Sequence, residues 1–302
     1  MGPLPLMTKF SFEVRDMTIE SAIADVDANV GVSARHLVTD EQIRHQADDL
    51  YFTASTLKLP LLVELYRQVD GGTVNPDSRV QLTDRLRAPG SGVLKEMANG
   101  LSPAVHDLAV LMIIISDNTA TDLLYDLVGR NNLKQTMRDL GLTSTSIPMS
   151  CRELLYSIYG IDTDDIAEAN RQVMDRLARS IVVEGSEGIS LEHSDVSSPS
   201  DMVRLLDMIY RGDILSASSR EAVLDILDRQ QLGTIIPHNL PPGTKTGHKT
   251  GGVTGVRCDV GIVYAPSGPY AIAIMSREVT AGKEIDRQLA RVSQAVYEYY
   301  EG

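Results

Sequence analysis

Apolar residues recur at helical spacing near the start of the chain, at Ile19, Ala22, Ile23 and Val26. Thr18 is placed to cap a helix running to about Ala28. Val30 to Val38 then alternates as a strand does. From Ser55 the period becomes helical again, with Leu57, Leu61, Leu62, Leu65 and Val69 on one side. Pro60 is tolerated near the first turn and Gly71-Gly72 stops the helix. From Gly72 to about Arg229 the pattern predicts helices and loops without a strand. Segments 105–115, 119–128, 131–140, 164–182, 200–211 and 217–229 all carry helical patterning. After Pro241-Pro242-Gly243 the character changes. Residues 244–250, 256–264 and 269–277 read as strands, and 282–300 as a closing helix with Ile285, Leu289, Val292, Ala295 and Val296 inward.

Strands at both ends around a helical middle predict an α/β (α+β) fold: an antiparallel sheet with N- and C-terminal helices plus an all-helical insert. The expected division is a discontinuous sheet domain, 17–71 and 230–300, and an all-helical domain, 72–229. The active site is expected in the cleft between them, a preferred place for ligand pockets.

Composition is ordinary for a globular chain of 302 residues, 43% hydrophobic and 23% charged. Trp is absent and Phe occurs three times, so Leu, Ile, Val and Met must form the core. A formal charge of −13 argues against nucleic acid as a partner, because phosphate binding needs a basic surface. The longest apolar run, Leu108 to Ile115, is too short to span a bilayer, so no membrane partner is expected. Met1 to Met7 has neither a basic start nor a continuous apolar stretch. The sequence as it stands therefore reads as cytoplasmic, and as periplasmic or secreted if a leader has been removed. Cys151 and Cys258 lack metal-ligand spacing; a disulfide between them stays open, with free thiols expected. No metal and no cofactor is expected, and no oligomeric state is assigned.

Three short motifs carry candidate chemistry. Ser55-Thr56-Leu57-Lys58 puts a hydroxyl and an amine three residues apart, on one face of a helix. A serine hydroxyl is a poor nucleophile until a base takes its proton, and Lys58 is that base if burial and a neighbouring cation depress its pKa. Ser116-Asp117-Asn118 follows the apolar helix. There Ser116 would pass a proton to the leaving group, Asn118 would hold the substrate amide or Lys58, and Asp117 would cap the next helix. Lys-Thr-Gly occurs twice, at 245–247 and 249–251, with the two lysines on one side of a strand roughly 13 Å apart. The glycines at 251, 252 and 255 favour the second copy. Lys249 and Thr250 of Lys249-Thr250-Gly251 would bind a substrate carboxylate, and Lys249 would help to keep Lys58 neutral. The backbone N–H groups of Ser55 and Gly252 would form the oxyanion hole.

The three motifs fall in order, about sixty and then about 130 residues apart. Phe52-Thr53-Ala54-Ser55-Thr56-Leu57-Lys58-Leu59-Pro60, Met112 to Ala120 around Ser116-Asp117-Asn118, and His248-Lys249-Thr250-Gly251 with Val256 to Val263 strongly resemble class A β-lactamases. Gly90-Ser91-Gly92-Val93-Leu94 and Ser198-Pro199-Ser200-Asp201-Met202 fit as well, so the resemblance spans about residues 17–300. It implies the two-part fold, an acyl-enzyme on Ser55, a small-molecule acyl substrate and β-lactam hydrolysis. One departure is specific: no Glu in the chain has an Asn four residues later, whereas the family's omega loop carries Glu-x-x-x-Asn to activate the deacylating water. Glu153 is the nearest in sequence and is not assigned that role. An esterase or peptidase of the same scaffold, or a penicillin-binding module acylated without turnover, is the alternative.

Overall fold

The computed structural model describes residues 18–302. The N-terminal segment behind the localisation expectation lies outside them. Within the described residues, 18–24 are helical and form α1, so Thr18 is itself helical and the helix ends short of Ala28. A five-stranded antiparallel sheet follows the order β2-β1-β7-β6-β5. Its strands are β1 (Asn29–His36), β2 (Gln42–His45), β5 (Lys245–Val253), β6 (Val256–Ala265) and β7 (Gly268–Arg277). The sheet thus joins the two ends of the chain, with Asn29 opposite Arg277 and His36 opposite Tyr270. A second pair, β3 (Tyr51–Phe52) and β4 (Val196–Ser197), puts a two-residue strand inside the stretch expected to hold none.

Period-two alternation assigns the sheet's faces. On β7, Ala271, Ala273 and Met275 join one apolar cluster, while Tyr270, Ile272 and Ile274 join another. The second face is covered by α1 and α10 (Ile285–Glu301), through Ile19, Ile23, Leu289, Val292 and Val296. The first face meets the helical part: α2 (Lys58–Asp70), α3 (Val105–Ile114), α4 (Asn118–Val128), α5 (Arg130–Asp139), α8 (Pro199–Arg211) and α9 (Ala217–Asp228). The result is a sheet with helices on both faces, in agreement with the α/β reading. Among the described residues, no helix is long and apolar enough to cross a membrane.

Two local differences position the site. Ser55 does not open the α-helix but lies on a 3-10 turn, Ala54–Leu57, ahead of α2. Pro60 falls in the first turn of α2, where a missing N–H removes no helical bond. The second is α6 (Cys151–Tyr159), which the apolar pattern did not single out. A capping box starts it: Ser150 Oγ accepts from Glu153 N, and Glu153 Oε2 accepts from Ser150 N. The next helix, α7 (Ile166–Ala178), stops short of residue 182, with Ser180 at φ 54° just past its end.

Candidate active site

The 3-10 turn carries Ser55 to the wall of a cavity of about 180 Å³. Three residues on, Lys58 is fully buried. Its Nζ donates to Ser116 O at 2.8 Å, Ser116 Oγ at 2.9 Å and Asn118 Oδ1 at 2.8 Å. An unpaired ammonium would be costly at such a place, and burial is the main cause that lowers the Lys58 pKa. Ser116 O and Asn118 Oδ1 cannot donate, so each accepts an N–H of Lys58. When the amine is neutral those are its only two N–H bonds, and its lone pair is then left for a hydroxyl.

Ser116 has φ 58° and Ala54, next to Ser55, has φ 43°. Each non-glycine residue in that region stores roughly 1–3 kcal/mol of strain, and both flank the site. The Ser116 loop is held from the other side. Ser91 Oγ donates to Ser116 O at 2.6 Å, and Asp117 Oδ2 accepts from Val93 N and Leu94 N. Asp117 Oδ1 accepts from Ala120 N and caps α4.

Strand β5 closes the third side. Lys249 is fully buried, and its Nζ donates to Thr250 O at 2.6 Å. Burial first, and then the charge of Lys58, hold the Lys249 pKa well below the lysine range. Lys245, from the other Lys-Thr-Gly copy, is exposed, pairs with Asp228 at 2.6 Å and lies over the Tyr264 ring. On the strand's other face His248 Nδ1 meets Asp259 Oδ1 at 2.8 Å, and Asp259 Oδ2 accepts from Ile236 N. A Cβ on Gly251 would stand 2.7 Å from Thr53 O and 3.1 Å from Ser55 N, so this strand backbone rests on the turn that carries Ser55. Gly252 lines the cavity beside Ser55. Gly255, at φ 78°, makes the two-residue hairpin turn into β6.

Helix α6 supplies the last wall. Cys151, Leu154 and Leu155 line the cavity with Ser55, Asn118 and Gly252, and among the described residues that line it there is no carboxylate. Glu153 points elsewhere, accepting from Arg130 Nη2 and Ser150 N. The wall is tied to α4 by Asp122, whose Oδ1 accepts from Cys151 N at 2.7 Å and Oδ2 from Arg152 N at 3.0 Å. Burial pushes the Asp122 carboxyl up to about 6 and the Cys151 thiol up to about 12. Cys151 and Cys258 are both buried free thiols. The motif reading missed Ser91, Asp122 and Cys151 as members of the site. Asp122 had a signal, since it follows Asn118 by four residues on the same helix face.

Comparison with known proteins agrees with this fold. A model described as the Beta-lactamase enzyme family matches residues 15–300. Beta-lactamase AER-1 of Aeromonas hydrophila is 24% identical over 279 residues, covering 91% of this chain and 82% of that protein. A beta-lactamase from Sphaerobacter thermophilus superposes with a TM-score of 0.79 at 27% identity, covering 94% of this chain and 97% of the other. A PBP-A variant, solved as an acyl-enzyme complex with penicillin G, gives 0.78 at 26% identity and covers 100% and 99%. Because the family match runs almost end to end over the layered fold described here, the chain belongs to the beta-lactamase enzyme family.

Proposed function

We propose that the chain is a serine acyl hydrolase of the β-lactam type, which acylates readily and deacylates slowly. The carrying observation is that Lys58, three residues from Ser55 and fully buried, is bonded to both Ser116 and Asn118. Ser55 Oγ attacks the lactam carbonyl while its proton passes to the lone pair of Lys58 Nζ. The oxyanion develops against the N–H groups of Ser55 and Gly252, both on the cavity wall. Ser116 Oγ, at 2.9 Å from Lys58, relays the proton to the ring nitrogen as the C–N bond breaks. Lys249 and Thr250 receive the substrate carboxylate. The related PBP-A variant that holds penicillin G as an acyl-enzyme supports the covalent step.

Slow release follows from the cavity wall. A water near the ester meets Leu154, Leu155 and a thiol held neutral, and none of the described residues lining the cavity is a carboxylate that could take its proton. Intact-protein mass after exposure to benzylpenicillin tests both halves. The expected result is a one-to-one adduct that persists over many minutes and is absent in Ser55→Ala. Rapid multiple turnover of a chromogenic cephalosporin would refute the slow half, and no adduct would refute the acylation. Lys58→Ala is expected to slow adduct formation by about 10²–10⁴-fold, the usual share of a general base.

A further inference from the structure

The loop around Ser91 is a poor structure on its own. Gly90 and Gly92 stand at φ 90° and 102°, and glycine loses the most conformational freedom when it is fixed. Between Asp70 and Val105 the chain has two three-residue 3-10 turns, Asp84–Leu86 and Leu94–Glu96, and one isolated bridge, Arg79 with Ala104. Yet residues 88–94 grip the Ser116 loop. Besides the bonds from Ser91, Val93 and Leu94, Ala88 N donates to Thr119 Oγ1, Pro89 O accepts from Asn118 Nδ2, and Ser91 O accepts from Asn118 N. A Cβ on Gly90 would stand 2.6 Å from Asn118 Nδ2, so the loop lies directly on the motif.

One side chain closes this loop. Arg87, at its start, reaches across to its far end: Nη1 donates to Lys95 O, and Nη2 donates to Met97 O at 2.7 Å and to Asn99 Oδ1 at 3.0 Å. Its Nε donates to Asp84 Oδ1 at 3.1 Å, and Asn99 Nδ2 completes the ring to Asp84 Oδ2 at 2.8 Å. Arg87 O is held as well, accepting from Asn170 Nδ2 of α7 at 3.3 Å. Three nitrogens of one planar fork thus fix four acceptors on both sides of residues 88–94. A lysine, with one nitrogen on a flexible stem, does not match that geometry. The side chain is 17% exposed, and away from water such charge-assisted bonds are at their strongest.

We propose that Arg87 is a positioning residue for proton delivery: by closing the loop 88–94 it holds Ser116 where its hydroxyl meets the leaving nitrogen. This rests on the relay role given to Ser116 above. Ser116 lies outside any helix or strand at φ 58°, and such a conformation persists only while its surroundings impose it. Lys58 keeps Asn118 Oδ1, which is carried on α4, so removal of the Ser55 proton depends less on Arg87 than the relay does.

Two acyl donors separate these steps, with adduct formation on Ser55 followed by intact-protein mass. With benzylpenicillin a bond forms from Ser55 Oγ to the lactam carbonyl carbon and the C–N bond breaks. The nitrogen then takes a proton from Ser116 Oγ, which Lys58 replaces. With p-nitrophenyl acetate the same kind of Ser55–acyl bond forms, but p-nitrophenolate leaves with the electron pair of the C–O bond and needs no proton. Arg87→Met should slow the penicillin adduct by about 10–100-fold, as a misplacement of up to an ångström does, and the ester adduct far less. Arg87→Lys should not restore the penicillin rate. Asn99→Ala, at an exposed position, should move the ratio of the two rates in the same direction by a smaller factor, and it decides the matter if Arg87→Met fails to fold. A fall of both donors together, or of neither, would overturn the assignment and leave the acyl-enzyme reading standing. No penicillin adduct in the unaltered protein would overturn that reading and this one with it.

Discussion

At the residue scale the site is governed by two buried amines. Lys58 and Lys249 are each fully buried, and burial favours the uncharged form of both. A base must be free of its proton to act, so the acid limb of acylation by Lys58 is expected below the usual lysine titration range. Acylation rate should rise with pH and level off before that range, and Lys58→Ala should flatten the profile; a pH series of adduct-formation rates checks this. Gly251 sets a second expectation. Replacing it by Ala drives a Cβ onto Thr53 O, Thr56 N and Ser55 N, all backbone atoms that cannot swing aside. Displacing the nucleophile's turn by a fraction of an ångström to one ångström should slow acylation by about 100-fold with little effect on overall fold, readable by mass and circular dichroism together. Ser55, Lys58, Ser116 and Lys249 could be singled out as candidates because the chemistry proposed for them depends on residue types at short fixed spacings. Ser91 and Cys151 could not. Their part in the site comes from loops and helices that meet only in three dimensions, and neither residue type is informative alone.

At the scale of elements, the clamp between α4 and α6 carries the clearest consequence. Asp122 satisfies two N–H groups at the start of α6 and so fixes the wall that holds Leu154 and Leu155 against Ser55. Its carboxyl titrates at about 6 in the fold against an ordinary 3.8. Between those values the folded state binds the proton more tightly than the unfolded one. The stabilisation this provides is therefore full below the lower value and is lost as pH rises through the upper one. Urea unfolding at a series of pH values should show that slope, and Asp122→Asn should remove its share. The long periodic helices and the three C-terminal strands could be read from spacing, because burial on one face repeats in the sequence. Helix α6 carries its sequence sign only in the Ser150/Glu153 cap, which the apolar pattern does not register, and β2, β3 and β4 are too short for alternation to register. The 3-10 turn at Ser55 had its sign in Pro60, which the helical period of the leucines masked.

The whole molecule is organised by the sheet that joins its ends. Because β1 pairs with β7 and the terminal helices cover one face, α10 is a structural element of the core and not an appendage. Leu289→Ala, a truncation at a fully buried position on α10, should destabilise the fold by about 2–5 kcal/mol. Its effect on the acylation rate of the folded fraction should be small; denaturant melts beside adduct kinetics separate the two. The two-faced arrangement was visible from the sequence, since strands at both ends leave few other ways to bury their apolar sides. Which helices touch which face was not, because it depends on loops whose paths no periodicity encodes. There is also a consequence in time. Ser55, Lys58 and Ser116 are synthesised early, but Lys249 and the strand supporting Ser55 are not made until residues 245–253 have left the ribosome. Chains stalled before β5 should ignore a penicillin that marks the finished protein, so covalent labelling of Ser55 would clock the moment at which a nascent chain completes its sheet.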